Sequence, residues 1–168
     1  MNIVLIGFMG VGKTTVAKIL ANELSMKFVE TDLIIEERAG KSIPEIFNDN
    51  GENAFRRIES DVIRAVSNKD NLVISCGGGV VTNNINISNL KKNGKIILLT
   101  AREENIINRV KDSEQRPLLN TKEWETTLHN LLVKREPIYK KASDFVIETD
   151  ELGPEEVADK VASIFEKE

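Results

Sequence analysis

An apolar tetrad, Ile3-Val4-Leu5-Ile6, runs straight into Gly7-Phe8-Met9-Gly10-Val11-Gly12-Lys13-Thr14, and apolar residues at helical spacing, Val16, Ile19, Leu20 and Leu24, follow at once. A short run that is apolar at every position is the mark of a strand buried on both faces, the kind found in a parallel sheet. Strand, glycine-rich turn and helix in that order, with the turn spelling G-x-x-x-x-G-K-[ST], specify a phosphate-binding loop. Each position has a physical reason. Glycines accept positive φ and let the backbone come close to an anion. Successive N–H groups point inward as a nest, and the helix that follows adds the positive end of its dipole. The Lys13 ammonium is expected to reach the β- and γ-phosphates of a nucleoside triphosphate, and the Thr14 hydroxyl to bind Mg²⁺. A second G-K-S, at Gly40-Lys41-Ser42, lacks the first glycine because position 35 is Ile35, and a helix precedes it. It reads as a helix stop followed by a helix cap.

The rest of the chain alternates strands with helices. Lys27 to Thr31 reads as a second strand and Asp32 to Ala39 as a helix stopped by Gly40. Ser42-Ile43-Pro44-Glu45 has capping-box spacing with proline at the first helical position, and the short helix it opens should end near Gly51. Glu52 to Val66 carries Phe55, Ile58, Val62, Ile63 and Val66 on one helical face. Further strands are expected at Leu72–Ser75, Lys95–Thr100 and Asp144–Thr149, and helices at 102–110, from Glu123 to Arg135 ahead of Pro137, and from Pro154 to Lys167. The polar stretch 111–122 contains Pro117, lacks a period and reads as a mobile loop. This order specifies an α/β fold: a three-layer α/β/α sandwich around a five-stranded parallel sheet, built as one domain over residues 1–168. Ligands of such a sheet lie at the carboxyl ends of its strands. The unusual residues, Gly7 onward, Glu30–Asp32 and Gly77-Gly78-Gly79, fall at three of those ends.

Composition narrows the partners. The net charge of −4 does not favour duplex nucleic acid. No apolar stretch approaches the ~20 residues of a membrane helix. The first residues read as a strand rather than a signal peptide. Cys76, the single cysteine, allows no internal disulfide and is expected in the core. Together these favour the cytoplasm. A phosphate loop by itself says only nucleoside triphosphate. Asn68-Lys69-Asp70 does not have the spacing of an N-K-x-D guanine-recognition motif, so a GTPase is disfavoured.

The chain resembles the shikimate kinases over nearly its whole length. The resemblance is carried by Gly7 through Thr15, Thr31-Asp32 with Ile35-Glu36, Gly40-Lys41-Ser42-Ile43 with Glu45-Ile46-Phe47, Phe55-Arg56-Arg57-Ile58-Glu59, Gly77-Gly78-Gly79, Arg116-Pro117-Leu118-Leu119, and Lys134-Arg135-Glu136-Pro137-Ile138-Tyr139. It implies a P-loop kinase fold with a mobile lid (about 111–122), an acceptor-binding region at about 32–60, and transfer of the γ-phosphoryl group of ATP to the 3-hydroxyl of shikimate in chorismate and aromatic amino acid biosynthesis. It further implies that Gly10, Val11, Gly12, Lys13, Thr14 and Thr15 hold ATP, with Arg109 near adenine and Arg116 swinging in from the lid. Lys13, Asp32 and Arg116 would be catalytic. Asp32, Arg56, Gly77, Gly78, Gly79 and Arg135 would hold shikimate. Mg²⁺ would sit on Thr14, with Glu30 reaching it through water. The family also implies a monomer. Many members carry Asp-Thr-Asp where this chain has Glu30-Thr31-Asp32, and the extra methylene suits an outer-sphere contact better than direct ligation.

The residue chemistry agrees with that expectation. An acceptor with a carboxylate and hydroxyls calls for arginine forks and a carboxylate in one pocket. Glu59, three residues after Arg56, shares its helix face and can orient it. Two rivals remain open: another small kinase of this type, acting on gluconate or a nucleoside monophosphate, and a nucleotide-binding protein without transfer activity.

Overall fold

The computed structural model describes residues 1–111 and 122–166. Five strands form one parallel sheet in the order β2-β3-β1-β4-β5: β1 Asn2–Ile6, β2 Lys27–Glu30, β3 Leu72–Ser75, β4 Gly94–Thr100 and β5 Phe145–Glu148. The α-helices are α1 Lys13–Glu23, α2 Thr31–Ala39, α3 Ile43–Ser67, α4 Asn84–Lys92, α5 Glu103–Val110, α6 Trp124–Ala142 and α7 Pro154–Phe165. The chain moves outward from β1 on one side and then back past it on the other. Right-handed crossovers therefore place α1 and α7, which pack together, on one face, and α3, α4 and α6 on the opposite face. The α/β/α layering expected from the element order is present.

The strands that read as continuous apolar runs are central. Val4, Leu5, Ile6, Val73, Ile74, Ile96 and Ile97 are fully buried, and burying each such side chain contributes roughly 1.5–3 kcal/mol. β5, at the edge, alternates instead and leaves Val146 exposed. Because β1 and β3 are neighbours, the turns that follow them, Gly7–Gly12 and Gly77–Gly79, are brought side by side where the chain reverses its direction of winding.

Several local expectations hold. Gly40 ends α2 in the left-handed region, and Ser42 caps α3 with a reciprocal Glu45 contact. Gly51 (φ 81°, ψ 170°) breaks the helix, a conformation open to glycine and closed to other residues, so the short helix and the long one meet there at a kink. Others are corrected. Pro44 stands at the second helical position, since α3 starts at Ile43. α2 starts at Thr31, one residue earlier than expected, so Asp32 lies within its first turn. α6 does not end before Pro137 but runs through it to Ala142. Pro137 and Val133, whose carbonyl loses its donor, are both exposed, so the missing bond falls on the solvent side of the helix. Helix α4, which carries no strong apolar period, was not anticipated from the sequence.

Candidate active site

The loop after β1 packs tightly under the sheet. A methyl group on Gly7 would stand 2.4 Å from the Leu99 carbonyl oxygen of β4, so only glycine lets the chain turn here. Lys13 opens α1 and is nearly buried. Its ammonium donates to the Gly7 and Phe8 carbonyl oxygens at 2.8 and 3.0 Å, which folds it over the loop. Gly10, Gly12, Lys13, Thr14 and Thr15 line a cleft of about 190 Å³ together with Met9, Glu30, Asp32, Ser75 and the turn after β3.

The parallel register pairs Glu30 of β2 with Ser75 of β3 at the two strand ends. The Thr14 hydroxyl, in the first turn of α1, donates to Glu30 Oε1 at 2.7 Å and lies 3.5 Å from Ser75 Oγ. The donors gathered here are hard oxygens only. Among the described residues no cluster of three or more His, Cys, Asp or Glu side chains gathers to hold a metal. That set fits Mg²⁺, which keeps much of its water and takes one or two carboxylates plus substrate phosphates rather than an all-protein cage.

Opposite the loop, two arginines flank the glycine turn after β3. The Arg56 guanidinium lies against Gly79, and Arg135 Nη1 would stand 3.7 Å from a methyl on Gly78. Asp32 Oδ1 lies against Gly77, where a methyl would meet it at 2.6 Å, and the Gly77 amide donates to Thr31 Oγ1 at 3.2 Å. Arg56 donates to Glu59 Oε1 at 2.9 Å, and a weaker ion pair links it to Glu52 at 3.4 Å. Glu59 is 1% exposed, and its Oε2 has no hydrogen-bond partner among the described residues. Burial pushes its carboxyl above the usual range, against the pull of the Arg56 charge beside it; Asp32 and Arg135 are near enough to act on it too. Arg135 is 4% exposed. Two guanidinium groups against neighbouring glycines form an arrangement that can take a carboxylate through paired N–H donors.

The sequence model of the shikimate kinase family matches residues 9–166. The chain belongs to the shikimate kinase family. It is 47% identical over 166 residues to the shikimate kinase of Thermodesulfovibrio yellowstonii, covering 99% of this chain and 95% of that protein. It is 45% identical over 166 residues to that of Caldanaerobacter subterraneus, covering 99% and 96%. Its structure superposes on the shikimate kinase from Acinetobacter baumannii solved in complex with shikimate, at a TM-score of 0.95 with 35% identity over 99% of this chain and 93% of that one. The Aquifex aeolicus shikimate kinase superposes at 0.85 with 38% identity, covering 99% and 96%. The resemblance and fold class read from the motifs are borne out.

Of the residues that shikimate kinase motifs pointed to, the structure gathers Gly10, Gly12, Lys13, Thr14, Thr15, Glu30, Asp32, Gly77 and Gly78 around one cleft, with Arg56, Gly79 and Arg135 adjoining it at the glycine turn. Val11 and Arg109 stand on the other side of the loop. Arg109 Nη1 donates to the Gly10 carbonyl oxygen at 2.9 Å and shares a cavity of about 290 Å³ with Val11, Gly12, Thr15, Val16, Thr149, Leu152, Pro154 and Val157. Arg116 and the stretch read as a lid lie outside the described residues, apart from the flanking Lys111 and Lys122. Cys76 is buried, and burial pushes its thiol up, far from a reactive range; His129 is exposed. Two site residues were missed. Ser75 is the polar end of an apolar strand, a signal that was available. Tyr139, whose hydroxyl donates to the Gly78 carbonyl oxygen, offered none beyond its place two residues after Pro137.

Proposed function

We propose that this chain is an ATP:shikimate 3-phosphotransferase. The observation that carries the reading is the pair of arginines, Arg56 against Gly79 and Arg135 against Gly78, on the glycine turn whose Gly77 and Gly78 line the phosphate-loop cleft together with Asp32. The shikimate complex of a relative that superposes over the whole chain supports it. The guanidinium forks take the acceptor carboxylate, and Asp32 takes the hydroxyl that reacts. A new bond forms between that hydroxyl oxygen and the γ-phosphorus, the bond to the β,γ-bridging oxygen breaks, ADP leaves, and the hydroxyl proton passes to Asp32. Lys13 leaves the loop carbonyls it caps and turns its charge to the transferring phosphoryl group. Adenosine occupies the cavity beside Arg109, and Arg116 adds charge from the lid.

Thr14 would hold Mg²⁺ directly, with Glu30 and Ser75 orienting it. When bound, the ion neutralises the charge of the β- and γ-phosphate oxygens. The described part of the site comes from one chain, which agrees with a monomer. The single, buried Cys76 suits a reducing cytoplasm.

The test is ADP release with shikimate present and absent, against a panel containing gluconate and nucleoside monophosphates. Release that depends on shikimate alone supports the reading. Release driven by another acceptor, or ATP binding without transfer to any of them, overturns it.

A further inference from the structure

Tyr139 has no part in the chemistry above, yet its hydroxyl sits at a crossing of three elements. The side chain is 2% exposed and lies on α6 one turn after Arg135. The hydroxyl donates to the carbonyl oxygen of Gly78, and the Arg135 guanidinium, which lies against the same glycine, is near enough to act on the phenol. The phenol's single proton is committed to Gly78, and a guanidinium has only donors, so what the phenol offers Arg135 is its oxygen. The glycine turn needs such an anchor at this point. The Gly77 and Gly79 carbonyls are held locally, by the Val80 amide at 3.1 Å and the Thr82 amide at 3.1 Å. The Gly78 carbonyl has Tyr139 instead. Glycines on both sides leave that peptide plane the freest to rotate. A trans peptide is rigid, so fixing the Gly78 C=O also fixes where the Gly79 N–H points. Gly78 is wedged as well against the phosphate loop: a methyl there would stand 3.5 Å from the Met9 amide nitrogen and 3.7 Å from the Gly7 carbonyl oxygen.

We propose that Tyr139 is a positioning residue of the acceptor site, its phenol locking the Gly78–Gly79 peptide plane and the Arg135 guanidinium into one arrangement. The inference rests on the acceptor reading of Arg135 and the glycine turn. It assigns Tyr139 to acceptor affinity and not to nucleotide affinity. Burial pushes the phenol up to about 12, so it keeps its proton throughout the neutral range and remains a donor.

Tyr139→Phe removes the hydroxyl and keeps the ring. The expected result is a KM for shikimate raised about tenfold, the loss of roughly one hydrogen bond, with kcat and the KM for ATP within about twofold. Amide exchange across residues 77–80 should quicken by a similar factor while α6 keeps its protection. Leu128→Ala, on the same helix and fully buried, should lower the melting temperature without splitting the two KM values. Should Tyr139→Phe not fold, the unmutated chain still decides. Tyr139 is its only tyrosine, so 3-fluorotyrosine labels it alone, and its ¹⁹F resonance should move with shikimate and not with ADP. Equal rises in both KM values, unchanged exchange at 77–80, or a resonance that answers ADP alone would overturn the proposal. A wild-type chain that releases no ADP with shikimate strikes the functional reading instead, and the exchange measurement then judges Tyr139 by itself.

Discussion

The Arg56 guanidinium occupies the space that a side chain on Gly79 would need: a methyl there would stand 2.3 Å from Nη2 and 2.4 Å from Nη1. The Gly79 backbone (φ −94°, ψ 3°) is open to any residue, so the glycine is required for room and not for conformation. Gly79→Ala is therefore expected to displace Arg56 from the acceptor end of the cleft. Shikimate affinity should fall about 10- to 150-fold, the equivalent of one charge-assisted hydrogen bond, with the melting temperature little changed. Calorimetric titration with shikimate checks it; unaltered affinity would show that Arg56 does not need that space.

Glu59 couples the site to pH. Its folded-state carboxyl binds a proton more tightly than an unfolded glutamate, because burial outweighs the Arg56 charge. A raised carboxyl contributes most to stability at and below its ordinary value of 4.5, and that contribution is lost as pH rises through the folded value. Glu59→Gln removes the titration. The melting temperature of the wild type should therefore drop relative to the variant as pH is raised from 4.5 toward neutrality. A difference that stays constant across that range would refute the assignment.

Thr14 and Glu30 share a 2.7 Å hydrogen bond. Glu30→Gln keeps an acceptor for the Thr14 hydroxyl but removes the charge. The concentration of free Mg²⁺ that supports half-maximal activity should rise about 10- to 100-fold, the range for groups that orient a metal's ligands. Nucleotide binding measured without Mg²⁺ should be unchanged. A loss of metal-free nucleotide affinity would mean that Glu30 shapes the loop and not the ion's surroundings.

Lys13 and Arg135 act on different substrates in this reading. Lys13→Met should abolish turnover while leaving shikimate binding intact. Arg135→Ala should weaken shikimate binding by roughly 1.5–3 kcal/mol and leave ATP binding near its original value. Fluorescence or calorimetric titrations with each substrate separate the two; shikimate affinity that survives Arg135→Ala would count against the acceptor site as drawn.

The nucleotide half was legible along the chain because it is nearly local. Asn2 to Glu23 is one continuous strand–turn–helix, and the glycines, lysine and threonine of its turn follow the spacing of a phosphate-binding motif. The parallel sheet was legible too, since β1, β3 and β4 each carry a continuous apolar run, Ile3–Ile6, Leu72–Ile74 and Ile96–Leu99, and such runs suit burial on both faces. Helix limits were less so. α6 passes Pro137 because the lost hydrogen bond faces solvent, and no local signal tells which side of a helix faces solvent before it is packed. α4 was missed because its burial rests on Asn86 and Leu90 rather than on an apolar stripe.

By itself the sequence determined the strand–turn–helix of the phosphate-loop motif and the apolar central strands, and through the family resemblance it named the arginines and the carboxylate expected around an acceptor. The tertiary structure decided which of those groups meet. Register between β2 and β3 sets Glu30 beside Ser75, and the return of α6 across the sheet sets Tyr139 and Arg135 against Gly78, 61 residues from Tyr139 along the chain. Such meetings depend on how helices and strands pack over long separations, and packing is a sum of many weak contacts that no single stretch of sequence contains.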